Sequence, residues 1–249
     1  MIARREYDKR KKQAMQRLDR ILSEAGVASR KELRAIIRAG RVCVNGTSVR
    51  SESEKFDEQT AEITLDGRPV VKRYTVLLML YKPAGYVTSS DDPSGPTVME
   101  LIPDNYRRLG VMPVGRLDKA TEGLLLFTND GVLAHKLISP RSGVWKTYYA
   151  EHEGEADAAD IAAFAAGLTL GDGTRCLPAK LIPQGAGKSL IEVQEGKYHQ
   201  VRRMMASRGM PVSYLKRVKE GGLTLENLEK GACRELELSE LEAALGTAL

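Results

Sequence analysis

Apolar residues recur at helical spacing through Leu18, Ile21, Leu22 and Ala25, with Gly26 placed to cap the end, so a short first helix is predicted from about Met15. Ser29-Arg-Lys-Glu32 then has the form of a capping box, where hydroxyl and carboxylate each satisfy an orphan amide of the first turn. Leu33, Ile36 and Ile37 continue on one face, and Gly40 closes this second helix. Its opposite face carries Arg30, Arg34 and Arg38, with Arg41 just past the cap, spaced by three or four residues into one stripe. Val42 to Gly46 reads as a strand entering an Asn-Gly turn, and Ile63 to Gly67 as a strand entering an Asp-Gly turn toward Val70. These elements predict a compact unit over residues 15–72.

From Thr75 the pattern changes. Val76-Leu-Leu-Met-Leu-Tyr81 is a continuous apolar run of strand length ended by Lys82-Pro-Ala-Gly85, which predicts a central strand covered on both faces. A polar loop, Ser89 to Pro96, precedes Val111-Met-Pro-Val-Gly115, the turn Arg116-Leu-Asp118, and a strand over Gly123 to Thr128. A short helix is expected over Val132 to Leu137, stopped by Pro140, and a strand start at Tyr148-Tyr-Ala. Asp157 caps an Ala-rich helix over Ala158 to Ala166; Lys180–Ile182 and Leu190–Val193 form a hairpin; a helix runs from about His199 to Ser207. The predicted class is α+β with a mixed or largely antiparallel sheet over residues 75–249.

Composition narrows the partner. Residues 1–50 hold 14 Lys/Arg against 5 Asp/Glu, a net +9, whereas the other 199 residues hold 24 against 28, a net −4. Residues 1–14, with six Lys/Arg, read as a basic flexible arm. Charge concentrated in this way points to a polyanion. Residues 197–219 add seven Lys/Arg without an acidic residue. No apolar run reaches the length of a membrane span, and the N-terminus lacks the apolar core of a signal peptide, so a cytoplasmic protein without a membrane partner is expected. Cys43, Cys176 and Cys233 stand far apart, as do His135, His152 and His199; neither a disulfide framework nor a metal site is expected. The motifs of Ser hydrolases, P-loop NTPases and Rossmann enzymes are missing, and Asp118, in a turn between hydrophobic strands, is the candidate carboxylate.

Arg17-Leu-Asp-Arg-Ile-Leu22, Ala28 to Glu32, Ile37 to Val42 and Val44-Asn-Gly46 together resemble the S4 RNA-binding domain. Gly115-Arg-Leu-Asp118 through Gly131 is similar to the signature segment of the RsuA class of pseudouridine synthases. Lys82-Pro-Ala-Gly85, Ser139-Pro-Arg, Lys146-Thr-Tyr148, Glu195 to Met204, Gly221 to Leu225 and Gly231 to Leu236 follow in that class's order. Tyr81 departs from it, since the class usually has Asn before Lys-Pro.

The resemblance implies isomerisation of uridine to pseudouridine in ribosomal RNA, a reaction with no net redox change and no donated group, hence no cofactor. It implies that Asp118 acts on the uridine, either by covalent attack or by abstracting a ribose proton. Arg202 would pair with Asp118 and keep it ionised, and Tyr148 would stack on the target base. Arg116, Leu117, Lys82 and Leu223 would shape the pocket, with Leu223 its apolar wall. The uridine must be flipped out, and compensating RNA contacts are expected from Arg30, Arg34, Arg38, Arg41, Lys197, His199 and Arg203. The Tyr198-His pair resembles small-subunit (16S) enzymes more than large-subunit (23S) ones, which tend to have Asn-Arg there. The expected protein is a monomer acting on 16S rRNA; the rivals are a 23S rRNA synthase and a non-catalytic S4-type RNA binder.

Overall fold

The computed structural model describes residues 15–57, 60–70, 75–90, 92–93, 95–139 and 142–246. The basic arm, Pro140 and Arg141 lie outside these residues. The chain divides into two compact units, one of residues up to Thr75 together with Asp104–Gly110, the other of Val76–Pro103 and Val111–Leu249.

In the first unit the expected helices form as α1 (Leu18–Glu24) and α2 (Arg30–Arg38). The capping box at Ser29 is made, with the Ser29 amide donating to the Glu32 carboxylate at 2.9 Å and the Glu32 amide to the Ser29 hydroxyl at 3.4 Å. Met15–Arg17 is not helical: it is an extended strand, β1, paired antiparallel with β4 (Lys55–Asp57). A four-stranded sheet runs in the order β3 (Thr47–Val49), β2 (Val42–Val44), β5 (Ile63–Leu65), β6 (Arg68–Pro69). Its hairpins turn at Asn45-Gly46 and Asp66-Gly67, all four residues at positive φ, as the two-residue turns demand. Leu18, Ile21, Leu22, Leu33 and Ile37 pack with Val42, Val44, Val49 and Ile63 into one core. The short helix α3 (Asp104–Arg107) also belongs to this unit.

The second unit is built on a nine-stranded sheet. Its spine is β11 (Lys180–Pro183), β12 (Lys188–Val193), β10 (Lys146–His152), β13 (Val212–Glu220), β9 (Glu122–Thr128), β7 (Leu77–Lys82) and β15 (Cys233–Glu235). β8 (Met112–Val114) pairs with β9, and β14 (Leu223–Thr224) with β13. Only β13 and β9 run parallel among these pairs, so the sheet is mixed and mostly antiparallel.

β7 is covered on both faces, as its unbroken apolar run predicts. Leu77 and Met79 join Leu124 and Leu126 in a cluster capped by Leu133 and Leu137 of α4 (Gly131–Ile138) and Leu241 of α7 (Leu238–Leu245), while Leu78, Leu80, Leu125 and Phe127 are buried on the other side. α5 (Ala158–Ala166) and α6 (Gln200–Ala206) complete the unit. Where β9 meets β13, Gly123 has φ +114°, and a Cβ there would lie 2.2 Å from the Arg217 carbonyl oxygen. Only glycine allows the two backbones to approach so closely. No helix among the described residues is long and apolar enough to cross a membrane.

Candidate active site

Between β8 and β9 the chain turns through Arg116-Leu117-Asp118, and several unrelated segments fix that turn. The Thr88 hydroxyl donates to the Leu117 carbonyl at 2.7 Å and accepts from the Leu117 amide at 3.2 Å. Lys82, fully buried at the end of β7, donates through Nζ to the carbonyls of Thr121 (2.8 Å), Pro83 (3.0 Å), Asp118 (3.2 Å) and Lys119 (3.3 Å). One ammonium therefore gathers the backbone on both sides of the turn. Burial pulls the Lys82 pKa down to about 8, against Asp118 and Glu122, which raise it, so it keeps its proton at pH 7.

Asp118 faces a cleft of about 250 Å³, which Arg116, Leu117, Lys119, Tyr148, Tyr198 and His199 also line. Its carboxylate is 30 % exposed, with His199 Nε2 3.6 Å from one oxygen and the Thr121 hydroxyl 3.5 Å from the other. Tyr148 comes from β10 and is 8 % exposed; burial holds its phenol above the ordinary range, hence protonated.

The expected ion pair between Asp118 and Arg202 is not made. Arg202, on the first turn of α6, donates instead to the Val212 carbonyl at 3.0 Å, which ties α6 to β13. The cation beside Tyr148 is Arg217, its cross-strand partner in the β10–β13 register. Arg217 is 1 % exposed, donates through Nε to the Leu124 carbonyl at 2.7 Å, and brings Nη2 to 3.3 Å from the Glu220 carboxylate, itself 2 % exposed. That contact is off hydrogen-bonding geometry, leaving Nη2 and Glu220 Oε2 without hydrogen-bond partners. Lys146 Nζ lies 3.9 Å from Glu220 on the other side. Burial lowers the Arg217 pKa, yet Glu220 and Tyr148 raise it more, so the guanidinium stays charged.

Other expected site residues are distributed unevenly. Leu223 is buried in the α4–α7 core rather than on the cleft, because β14 turns it inward; Val193, Val201 and Leu215 are the cleft's apolar wall. Lys197 bonds the Arg175 carbonyl and pairs with Glu195, and Arg203 pairs with Asp172 at 2.6 Å. In the first unit Arg38 pairs with Glu52 at 3.2 Å and Arg41 makes a two-pronged contact with Asp66. Arg30 and Arg34 have no carboxylate within ion-pair distance among the described residues; with Arg17, Asp19 and Arg20 they line a basic recess.

Residues 76–207 match the model of the RNA pseudouridylate synthases, and residues 16–60 match the S4 domain. The chain belongs to the RNA pseudouridylate synthase family. The synthase is 39 % identical to the uncharacterized RNA pseudouridine synthase YtzG of Bacillus subtilis, over 90 % of this chain and 96 % of the relative. It is 36 % identical to the ribosomal large subunit pseudouridine synthase B of Vibrio cholerae, over 91 % of this chain and 73 % of the relative. A crystal structure of a pseudouridylate synthase superposes with a TM-score of 0.63 at 34 % identity, covering 92 % of this chain and 99 % of that one. The synthase is thus an RNA isomerase with an N-terminal S4 domain.

Proposed function

We propose that the synthase isomerises a uridine of ribosomal RNA, with Asp118 as the catalytic carboxylate and Tyr148 as the ring against the target base. The bond from the ribose to N1 breaks, the bond to C5 forms, N1 gains a proton and C5 loses one. The supporting observation is a partly exposed carboxylate on a turn anchored by Lys82 and Thr88, sharing a cleft with a buried, protonated tyrosine. A preorganised group of this kind acts without rearranging the backbone as charge develops. Arg116 and Leu117 immediately precede the carboxylate in the same turn and line the cleft with it. Arg217, absent from the expected set, positions Tyr148 from behind.

Within ribosomal RNA, Tyr198-His199 supports a small-subunit target, and the likeness to the Vibrio cholerae large-subunit enzyme supports a large-subunit one. Release of tritium from 16S and 23S transcripts labelled at C5 of uridine tests both readings. Wild type should release label from one transcript, and Asp118→Asn should release none while binding it within about threefold of wild-type affinity. Substantial release by Asp118→Asn would remove Asp118 from the chemistry.

A further inference from the structure

Tyr198 is 70 % exposed, more than any other large hydrophobic side chain among the described residues, and it stands at the rim of the catalytic cleft. One face of its ring is stacked on His199, with centroids 3.9 Å apart and planes 15° from parallel. The outer face is left to water. The loop that presents the stack is tied down: Gln200, 5 % exposed, accepts from the Lys197 amide at 2.9 Å and donates to Glu195 at 2.9 Å, and Glu195 also accepts from the Leu177 amide at 2.8 Å. His199 itself has φ +47°, a left-handed conformation that costs of order 1 kcal/mol outside glycine and persists where surrounding bonds enforce it.

Beside this rigid stack, Arg116 and Lys119 are exposed on the same cleft and make no ion pair with any carboxylate among the described residues. An open aromatic face next to uncompensated cations suits a nucleotide, the ring taking the base and the cations the phosphates. The target uridine belongs deeper, against Tyr148. The geometry points to Tyr198, backed by His199, as a stacking platform for the unpaired base next to the target uridine, with Arg116 and Lys119 on the adjoining phosphates. This rests on the synthase acting on ribosomal RNA.

Stacking on an aromatic ring contributes to binding alike before and during reaction, so its loss raises KM and spares kcat. With the C5-tritiated transcript that wild type converts, Tyr198→Ala should raise KM about 5- to 100-fold and leave kcat within about threefold. Tyr198→Phe, which keeps the ring, should restore KM to within about twofold of wild type. Plotted against log salt, the affinity of Tyr198→Ala should fall on a line parallel to wild type, whereas Arg116→Ala should flatten the slope by up to about 0.9. An active wild type with unchanged KM in Tyr198→Ala overturns the platform alone, as does a Phe variant as impaired as Ala. No release by wild type from either ribosomal transcript overturns the ribosomal reading, and the platform with it.

Discussion

Replacing Arg217 by Met separates what the buried charge cluster does for folding from what it does for Tyr148. The side chain is 1 % exposed, and its removal strands Glu220, 2 % exposed, with Lys146 at 3.9 Å as its remaining cation, and takes the 2.7 Å donor from Leu124. Breaking a buried pair by deleting one partner costs about 3–5 kcal/mol. Against a total stability of about 5–15 kcal/mol that is a large share, and urea unfolding measures it directly. Adding Glu220→Gln removes the orphaned carboxylate. The double variant should therefore recover about 2 kcal/mol or more. Neither variant keeps the guanidinium beside Tyr148. Tritium release at saturating transcript should therefore stay at least about tenfold below wild type in the double variant even as stability returns. A single variant losing less than about 1 kcal/mol, or a double variant turning over like wild type, would refute the account.

Three further outcomes follow from the same geometry. The Lys82 pKa of about 8 lies below the ordinary 10.5, so between those values the unfolded chain binds more protons than the native one and stability rises with pH. Relative to Lys82→Met, wild type should gain up to about 3 kcal/mol in urea unfolding between pH 7.5 and 10.5, and parallel pH profiles would contradict this. Gly123→Ala, whose Cβ would meet the Arg217 carbonyl at 2.2 Å, should cost more than about 4 kcal/mol or prevent folding; a loss under 1 kcal/mol by the same assay would show that the strands can part. Arg30→Ala with Arg34→Ala should flatten the slope of log affinity against log salt by about 1.4–1.8, and the paired Arg38 and Arg41 should contribute less; equal changes from both double variants would mean that Glu52 and Asp66 do not compete with RNA.

Caps, tight turns and the doubly buried strand were legible because each is fixed by neighbours in sequence. Ser29 and Glu32, Asn45-Gly46 and the apolar run from Val76 to Tyr81 need no distant partner to declare themselves. The turn of Arg116-Leu117-Asp118 between two strands was legible too, and the structure sets Asp118 on a cleft. β13 was not, because its alternation of charged and apolar residues within a basic stretch looks like a solvated segment, although Leu215 and Arg217 are buried. Arg217 hides among seven basic residues, and only the fold pairs it with Glu220 and Tyr148. The structure pairs Arg202 with the Val212 carbonyl rather than with Asp118 for the converse reason: its position in a motif says nothing of a partner ten residues on. Leu223 likewise followed tertiary packing into the core.

Sorting the basic residues by partner makes a sharper functional map than net charge. Lys82 and Arg217, both fully buried, spend their charge on backbone carbonyls and on Glu220; Lys82 holds the turn of Asp118, and Arg217 ties β13 to Leu124 of β9 beside Tyr148. Arg38, Arg41, Lys197 and Arg203 are exposed or half-buried but already face carboxylates, so binding a phosphate there means displacing an internal partner. Exposed ion pairs are worth roughly 0–1 kcal/mol, which makes that exchange feasible but weakens its net gain. Arg30, Arg34, Arg116 and Lys119 make no ion pair among the described residues. A phosphate can meet each of them without breaking an ion pair, although Asp19 and Glu52 act electrostatically on Arg30 and Arg34, and this favours a steep salt dependence. Buried cations thus shape the cleft, whereas the exposed ones without an ion pair are those whose loss should lower the salt dependence of RNA binding most.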